Sequence, residues 1–196
     1  MSEQPIYGLV LSGGESKRMG RDKALLRHDG QSQLAFVVAL LERHVERVLV
    51  STRAEQKDEA ERSRFDQVID HYTDMGPLAG ILSAMDDYPE ADWLVVACDL
   101  PNIGDETLRH LLENRSPAHP FSAYISSHDG LPEPLCAVYR ASSAPLVRQF
   151  ADDGIRCPRK ILIRSDTYLL EQLDPTSLDN VNTPVDLGNS VLEATS

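Results

Sequence analysis

Residues 9–23 read Leu9-Val10-Leu11-Ser12-Gly13-Gly14-Glu15-Ser16-Lys17-Arg18-Met19-Gly20-Arg21-Asp22-Lys23. A short apolar run, the mark of a buried strand, passes directly into a loop with three glycines. From residue 17 to 27 the cations Lys17, Arg18, Arg21, Lys23 and Arg27 stand against one carboxylate, Asp22. The chain as a whole carries a net charge of −12. Positive charge gathered in one Gly-rich loop of an acidic chain points to an anion site. Glycines let the backbone approach such a ligand and turn its N–H groups toward it.

Outward from this loop, strands alternate with helices. Ile6–Leu11 reads as a buried strand. Leu34, Val37, Val38, Leu41 and Val45 recur at helical spacing, which predicts a helix over 31–44. Val48–Ser51 is a second strand, Ala54–Arg64 a polar, exposed helix, and Gln67–Asp70 a third strand. Gly76-Pro77 opens a helix through Met85, since proline at the first helical position needs no amide hydrogen bond. Trp93–Ala97 is apolar enough for the centre of a parallel sheet. Asp105 and Glu106 fall in the first turn of the next helix, where carboxylates favour the dipole. Beyond it, Phe121–Ser126 and Pro134–Tyr139 are strand candidates around Ser127-His128-Asp129-Gly130; 142–151 and 158–163 look helical, and Thr167–Leu170 extended.

The order predicts an α/β chain: a three-layer α/β/α sandwich with a Rossmann-like, mostly parallel sheet. With 196 residues, 41% of them hydrophobic, one domain over residues 1–188 is expected, with 189–196 a mobile tail. Ligands of such sheets bind beyond the carboxyl ends of the strands.

Composition narrows the function. A pI near 4.8 argues against broad nucleic-acid or membrane-surface binding. Met1-Ser2-Glu3-Gln4-Pro5 is polar and lacks a signal pattern. The longest apolar run, Ala35-Phe36-Val37-Val38-Ala39-Leu40-Leu41, falls far short of the roughly 20 residues of a membrane span. Cys98, Cys136 and Cys157 are widely spaced, without zinc spacing, and fit a reduced, cytoplasmic setting as small buried or semi-buried residues.

Two phosphate loops fail at the opening stretch. The Walker pattern needs G-x-x-x-x-G-K-[ST], but Gly14 and Gly20 are one residue too far apart and Arg21 follows Gly20; G-x-G-x-x-G is absent. Leu11 through Lys23 instead resembles, at every fixed position, the L-[AS]-G-G-x-S-x-R-M-G-x-D-K signature of the MobA-like nucleotidyltransferases, a family that includes the molybdenum cofactor guanylyltransferases. Three further segments resemble the family in order: Gly76-Pro77-Leu78-Ala79-Gly80 its G-P-L-A-G, Cys98-Asp99-Leu100-Pro101 its C-D-x-P, and Asn180-Val181-Asn182-Thr183-Pro184 its N-x-N-T-P.

The resemblance implies a nucleotide site built from Leu11, Ser12, Gly13, Gly14, Lys23, Asp70, Gly76, Pro77, Leu78 and Asp99. Gly13 and Gly14 supply backbone donors to a triphosphate; Arg18 and Lys23 neutralise charge on leaving pyrophosphate. Lys17 and Arg21 occupy variable positions and read as solvated. Asp22 either orients Lys23 or caps the loop. Asp99, at the end of a buried strand, costs free energy unless it is paired or binds a cation. It is the candidate magnesium ligand, since Mg²⁺ takes one or two carboxylates with phosphate oxygens and water. The alternative is a structural Asp capping the helix near Gly104, a place Asp105 suits better. Gly76 and Gly80 allow close packing against a ligand, and Asp70 matches a nucleotide-contacting position, with Asp74 as the alternative. Asn182, with Asn180, either reaches the phosphates or, with Thr183, caps a helix starting at Pro184. Arg156, Arg159 and Lys160 form a basic cluster that either grips a phosphate on a second substrate or is solvated surface.

The implied reaction moves GMP from GTP to the phosphate of molybdopterin, with or without molybdenum, expelling pyrophosphate. Implied partners are these substrates and transient contacts with other cofactor-biosynthesis proteins, with neither nucleic acid nor membrane. The family's guanylyltransferases tend to carry an Asn near Ser51-Thr52-Arg53 that is missing here. A cytidylyltransferase and a sugar-phosphate nucleotidyltransferase therefore stay open, as does a non-catalytic nucleotide-binding module.

Overall fold

The computed structural model describes residues 4–12, 22–28 and 30–180. Its centre is β1 (Ile6–Leu11), flanked by two parallel neighbours, β4 (Arg47–Thr52) and β6 (Asp92–Ala97). Between β1 and β4 lie a small hairpin, β2 (Arg27–His28) with β3 (Gln31–Ser32), and helix α1 (Gln33–Leu41). Beyond β4 the sheet ends in β5 (Gln67–Ile69), also parallel. On the other side β8 (Pro132–Tyr139) runs antiparallel to β6, followed by β7 (Phe121–Ile125) and, at the edge, β9 (Thr167–Leu170) parallel to β7. The order β5-β4-β1-β6-β8-β7-β9 makes a seven-stranded sheet with β8 alone reversed.

Side chains alternate across the sheet, so each strand serves two cores. Leu9, Leu49 and Val95 pack against α2 (Pro77–Asp87), α4 (Ala144–Asp152) and α5 (Pro158–Ile163). Val10, Val50, Leu94 and Val96 pack against α1 and α3 (Asp105–Asn114). This is the expected three-layer α/β sandwich. Among the described residues no helix is long and apolar enough to cross a membrane.

Local chemistry explains where elements stop. Helix α1 begins at Gln33 because Gln31 and Ser32 pair in the hairpin and the Ser32 hydroxyl caps the helix, accepting from the Ala35 amide at 3.0 Å. Helix α2 starts on Pro77, as expected, and runs on to Asp87. Gly104, not Asp105, is the N-cap of α3; Asp105 lies in the first turn, held by Arg43 and His44, which keep its carboxyl below the usual range. Cys98 and Cys136 are buried, but Cys157 is exposed at the entry to α5.

The largest departure is the expected polar helix over 54–64. That stretch forms only two short 3₁₀ turns, Ala54–Gln56 and Arg62–Arg64. It has no apolar stripe to bury, and helices in proteins owe most of their stability to such a face. Its inward contact is made by a charge: Arg62 is wholly buried.

Candidate active site

Strands β4, β1 and β6 finish in line, with Leu11 opposite Ser51 on one side and Ala97 on the other. Strand order reverses at β1, which is where α/β sheets open a crevice for ligands. Ser12, the residue leading into the Gly-rich segment, is fixed at this rim. Its amide and its Oγ both donate to the Ser51 carbonyl, at 3.3 and 2.9 Å. The Leu11 carbonyl accepts from the Cys98 amide at 3.2 Å, tying the β1 exit to the turn that carries Asp99. Asp99 is partly buried, two residues past β6.

A second carboxylate stands one strand further out. Ser51 Oγ donates to Asp70 Oδ1 at 2.8 Å, and the Asp70 amide donates to the Thr52 carbonyl at 2.9 Å. Burial pushes the Asp70 carboxyl above its ordinary range, against the opposing pull of the Ser51 hydroxyl. Gly80 makes this pair possible. A Cβ there would sit 2.1 Å from Ser51 Oγ and 2.9 Å from Leu11 Cδ2. Gly80 therefore packs on the protein's own strands, where the sequence suggested close approach to a ligand. Gly76 differs: nothing crowds it, but its φ of +55° is a conformation that side chains resist. It turns the chain into Pro77, so the N-terminus of α2 faces the same rim, where its dipole favours an anion.

Leu11, Ser12, Asp70, Gly76, Pro77 and Asp99 thus converge on one rim. Leu78 serves the core instead, with a wholly buried side chain and an amide donating to the Met75 carbonyl. Asp22 caps the turn Lys23–Leu25 by accepting from the Ala24 amide at 3.0 Å. Gly13, Gly14, Arg18, Asn182 and Thr183 lie outside the described residues, as do the side chain of Lys23 and the 189–196 tail.

The second-substrate candidates are arranged differently. Arg159 is held by Asp129 at 2.8 Å and Glu133 at 2.9 Å, so its charge is already answered by carboxylates of the β7–β8 hairpin. Lys160 is exposed in α5. Arg156 donates to the Asp74 carbonyl at 3.3 Å, which sets the basic cluster beside the loop leading into α2. Asn180 is exposed; its neighbour Asp179 accepts from His128 Nε2 at 2.7 Å, raising the imidazole pKa. Ser127 and Asn102 donate to the carbonyls of Pro175 and Thr176, which brings this segment next to the turn after Asp99.

Sequence reasoning missed Arg62. Its Nε donates to Ser12 Oγ at 3.1 Å, its Nη2 to the Ser12 carbonyl at 2.6 Å and to Asp22 Oδ2 at 2.8 Å, and its Nη1 pairs with Glu59. No signal in the stretch marks it, since an arginine among acidic residues is ordinarily a solvated one.

Residues 8–168 match the model of the MobA-like NTP transferase domain. The chain is 34% identical over 188 residues to the molybdenum cofactor biosynthesis bifunctional protein of Synechocystis sp., covering 96% of this chain and 54% of that one. It is 35% identical over 136 residues to the "Probable molybdenum cofactor guanylyltransferase" of Bacillus mycoides, 67% of this chain and 66% of that one. The chain therefore spans about half to two thirds of the length of these curated relatives. The solved structure of molybdopterin-guanine dinucleotide biosynthesis protein A from Archaeoglobus fulgidus superposes with a TM-score of 0.77 at 26% identity, covering 93% of this chain and 95% of the other.

Proposed function

The chain belongs to the MobA-like NTP transferase family, and on that footing we propose that it is a nucleotidyltransferase that moves GMP from GTP to the phosphate of molybdopterin. The observation that carries this reading is the convergence of Ser12, Asp70, Asp99 and the start of α2 on the rim where strand order reverses.

In the proposed step an oxygen of the acceptor phosphate attacks the α-phosphorus of the nucleotide. The bond to the bridging oxygen breaks and pyrophosphate leaves with its electron pair. The nucleophile is already an anion, so alignment and charge neutralisation suffice and no strong protein base is needed. Gly13 and Gly14 would offer amides to the triphosphate, and Arg18 and Lys23 would stabilise the leaving group. Asp99 is a fitting magnesium ligand: one partly buried carboxylate, beside the exit of the phosphate-binding strand, is what a cation that keeps water and phosphate oxygens requires. Bound there, magnesium would supply neutralisation of phosphate charge.

The guanine preference rests on the relatives named as guanylyltransferases. The rim narrows which groups would select the base. The Ser51 hydroxyl is given to Asp70, and Thr52 is fully buried, its hydroxyl toward the Val50 carbonyl. Of these three groups, that leaves the Asp70 carboxyl, with backbone groups beside it, as the candidate for a base contact. The reading also places the protein in the cytoplasm, with transient contacts to other proteins of cofactor synthesis. Calorimetric titration with each of GTP, CTP and ATP, in magnesium, tests the base. Tightest binding is expected for GTP; tighter binding of CTP would replace guanylyl by cytidylyl transfer.

A further inference from the structure

We propose that Arg62 is a positioning residue for the anion site, holding in place the two residues that bracket the Gly-rich segment. This rests on the nucleotidyl-transfer reading for its ligand and on geometry for its action.

Arg62 lies 50 positions along the chain from Ser12 and reaches it twice, through Oγ and the carbonyl. The same guanidinium reaches Asp22, whose other oxygen caps the turn that carries Lys23. Ser12 and Asp22 flank the Gly-rich segment 13–21 in the chain. One side chain therefore joins both ends of that segment. Its position also decides what else it can do. Arg62 is 0% exposed, so it is closed to solvent, and it is drawn inward by Asp22 and Glu59. A buried charge of this kind costs desolvation, and replacing it with apolar residues is often neutral or stabilising. Its presence here is better explained by geometry: the planar guanidinium offers donors in a fixed fork, which a lysine ammonium does not.

The arrangement couples the partners in a testable way. Asp22→Asn keeps an oxygen for the Ala24 amide but removes the charge that Arg62 grips. Arg62→Lys keeps the charge but loses the fork. Both variants and their combination are compared with wild type by circular dichroism and thermal melting. Mg-GTP affinity, KM and kcat follow, together with hydrogen exchange at the Ser12, Ala24 and Leu25 amides. The expected result is a folded Asp22→Asn protein with nucleotide KM and Kd raised about tenfold, as for losing a charged hydrogen bond, and kcat little changed. The double variant is expected to lose no more than the worse single one, because the contact that Asp22→Asn removes is among those that Arg62→Lys disturbs. Exchange at Ser12, Ala24 and Leu25 is expected to speed up, with Leu94 and Val96 unaffected. A folded Asp22→Asn protein with wild-type affinity and KM overturns the proposal, as does a proportional loss of kcat with unchanged KM. Should the wild type bind none of the nucleotides, the nucleotidyl reading fails by itself. The exchange comparison then decides the clamp: unchanged rates overturn it, and faster rates confined to these amides uphold it.

Discussion

The two halves of the sheet treat charge in opposite ways. On the parallel side, polar groups at the rim are buried and interlocked: Arg62 is 0% exposed, Ser12 2% and Ser51 3%, and each bonds to another strand or turn. Around the turn of the β7–β8 hairpin, the charged pairs lie at the surface. His128 and Asp179 are 72% and 39% exposed, and Arg159 with Asp129 is 31% and 43%. Exposed pairs contribute little and are screened by salt. Interlocked buried groups are costly to disturb because a partner is left unsatisfied. The first half is thus a preorganised frame, suited to stabilising charge at fixed points. The second is an exposed margin, whose charges are shared with solvent.

Substitutions can break or sharpen this contrast. The largest effect is expected from Lys23→Ala, which removes the cation proposed to stabilise the leaving pyrophosphate and should lower kcat on the order of 10²–10³ while leaving the fold intact. Turnover within twofold of wild type at saturating nucleotide would remove Lys23 from catalysis. Next comes Gly80→Ala. Its methyl carbon would meet Ser51 Oγ at 2.1 Å, so α2 must shift or Ser51 must leave Asp70. A loss of about 1–3 kcal/mol is expected by denaturant unfolding, as for other overpacked sites. Weaker nucleotide binding should accompany it. Wild-type stability would show that the contact between α2 and β4 yields easily and that this half is no rigid frame.

The smallest effect is expected from His128→Ala, in the margin. Asp179 raises the imidazole pKa above its unfolded value of about 6.5. The contact is therefore fully present below that value and fades as pH rises through the higher folded one. Melting curves of wild type and variant should differ most in mild acid and converge in alkali. A difference that grows with pH would reverse the assignment.

Much of this architecture was legible in the residues, for reasons that differ by element. Ile6–Leu11 and Trp93–Ala97 are apolar runs with one plausible fate, and Pro77 marks a helix start by its missing amide. Ser12 and Asp99 each follow such a run, whereas Asp70 was legible only through the resemblance to the family. The stretch 54–64 could not, because its polar residues carry no period and its key side chain is buried by partners 40 and 50 positions away. The reversal of β8 against β7 is written in the short Ser127-His128-Asp129-Gly130 connection, which no parallel crossover could span, but the insertion of β8 between β7 and β6 is not. The Ser51–Asp70 bond depends on the missing Cβ of Gly80, a three-way fit that no local pattern records.

The central claim is nucleotidyl transfer at the rim of β1, β4 and β6, and pyrophosphate release tests it most directly. The four nucleoside triphosphates are supplied one at a time with magnesium, with and without molybdopterin. The account predicts release that requires the acceptor and is fastest with GTP. Acceptor-dependent release with none of the four nucleotides would contradict it.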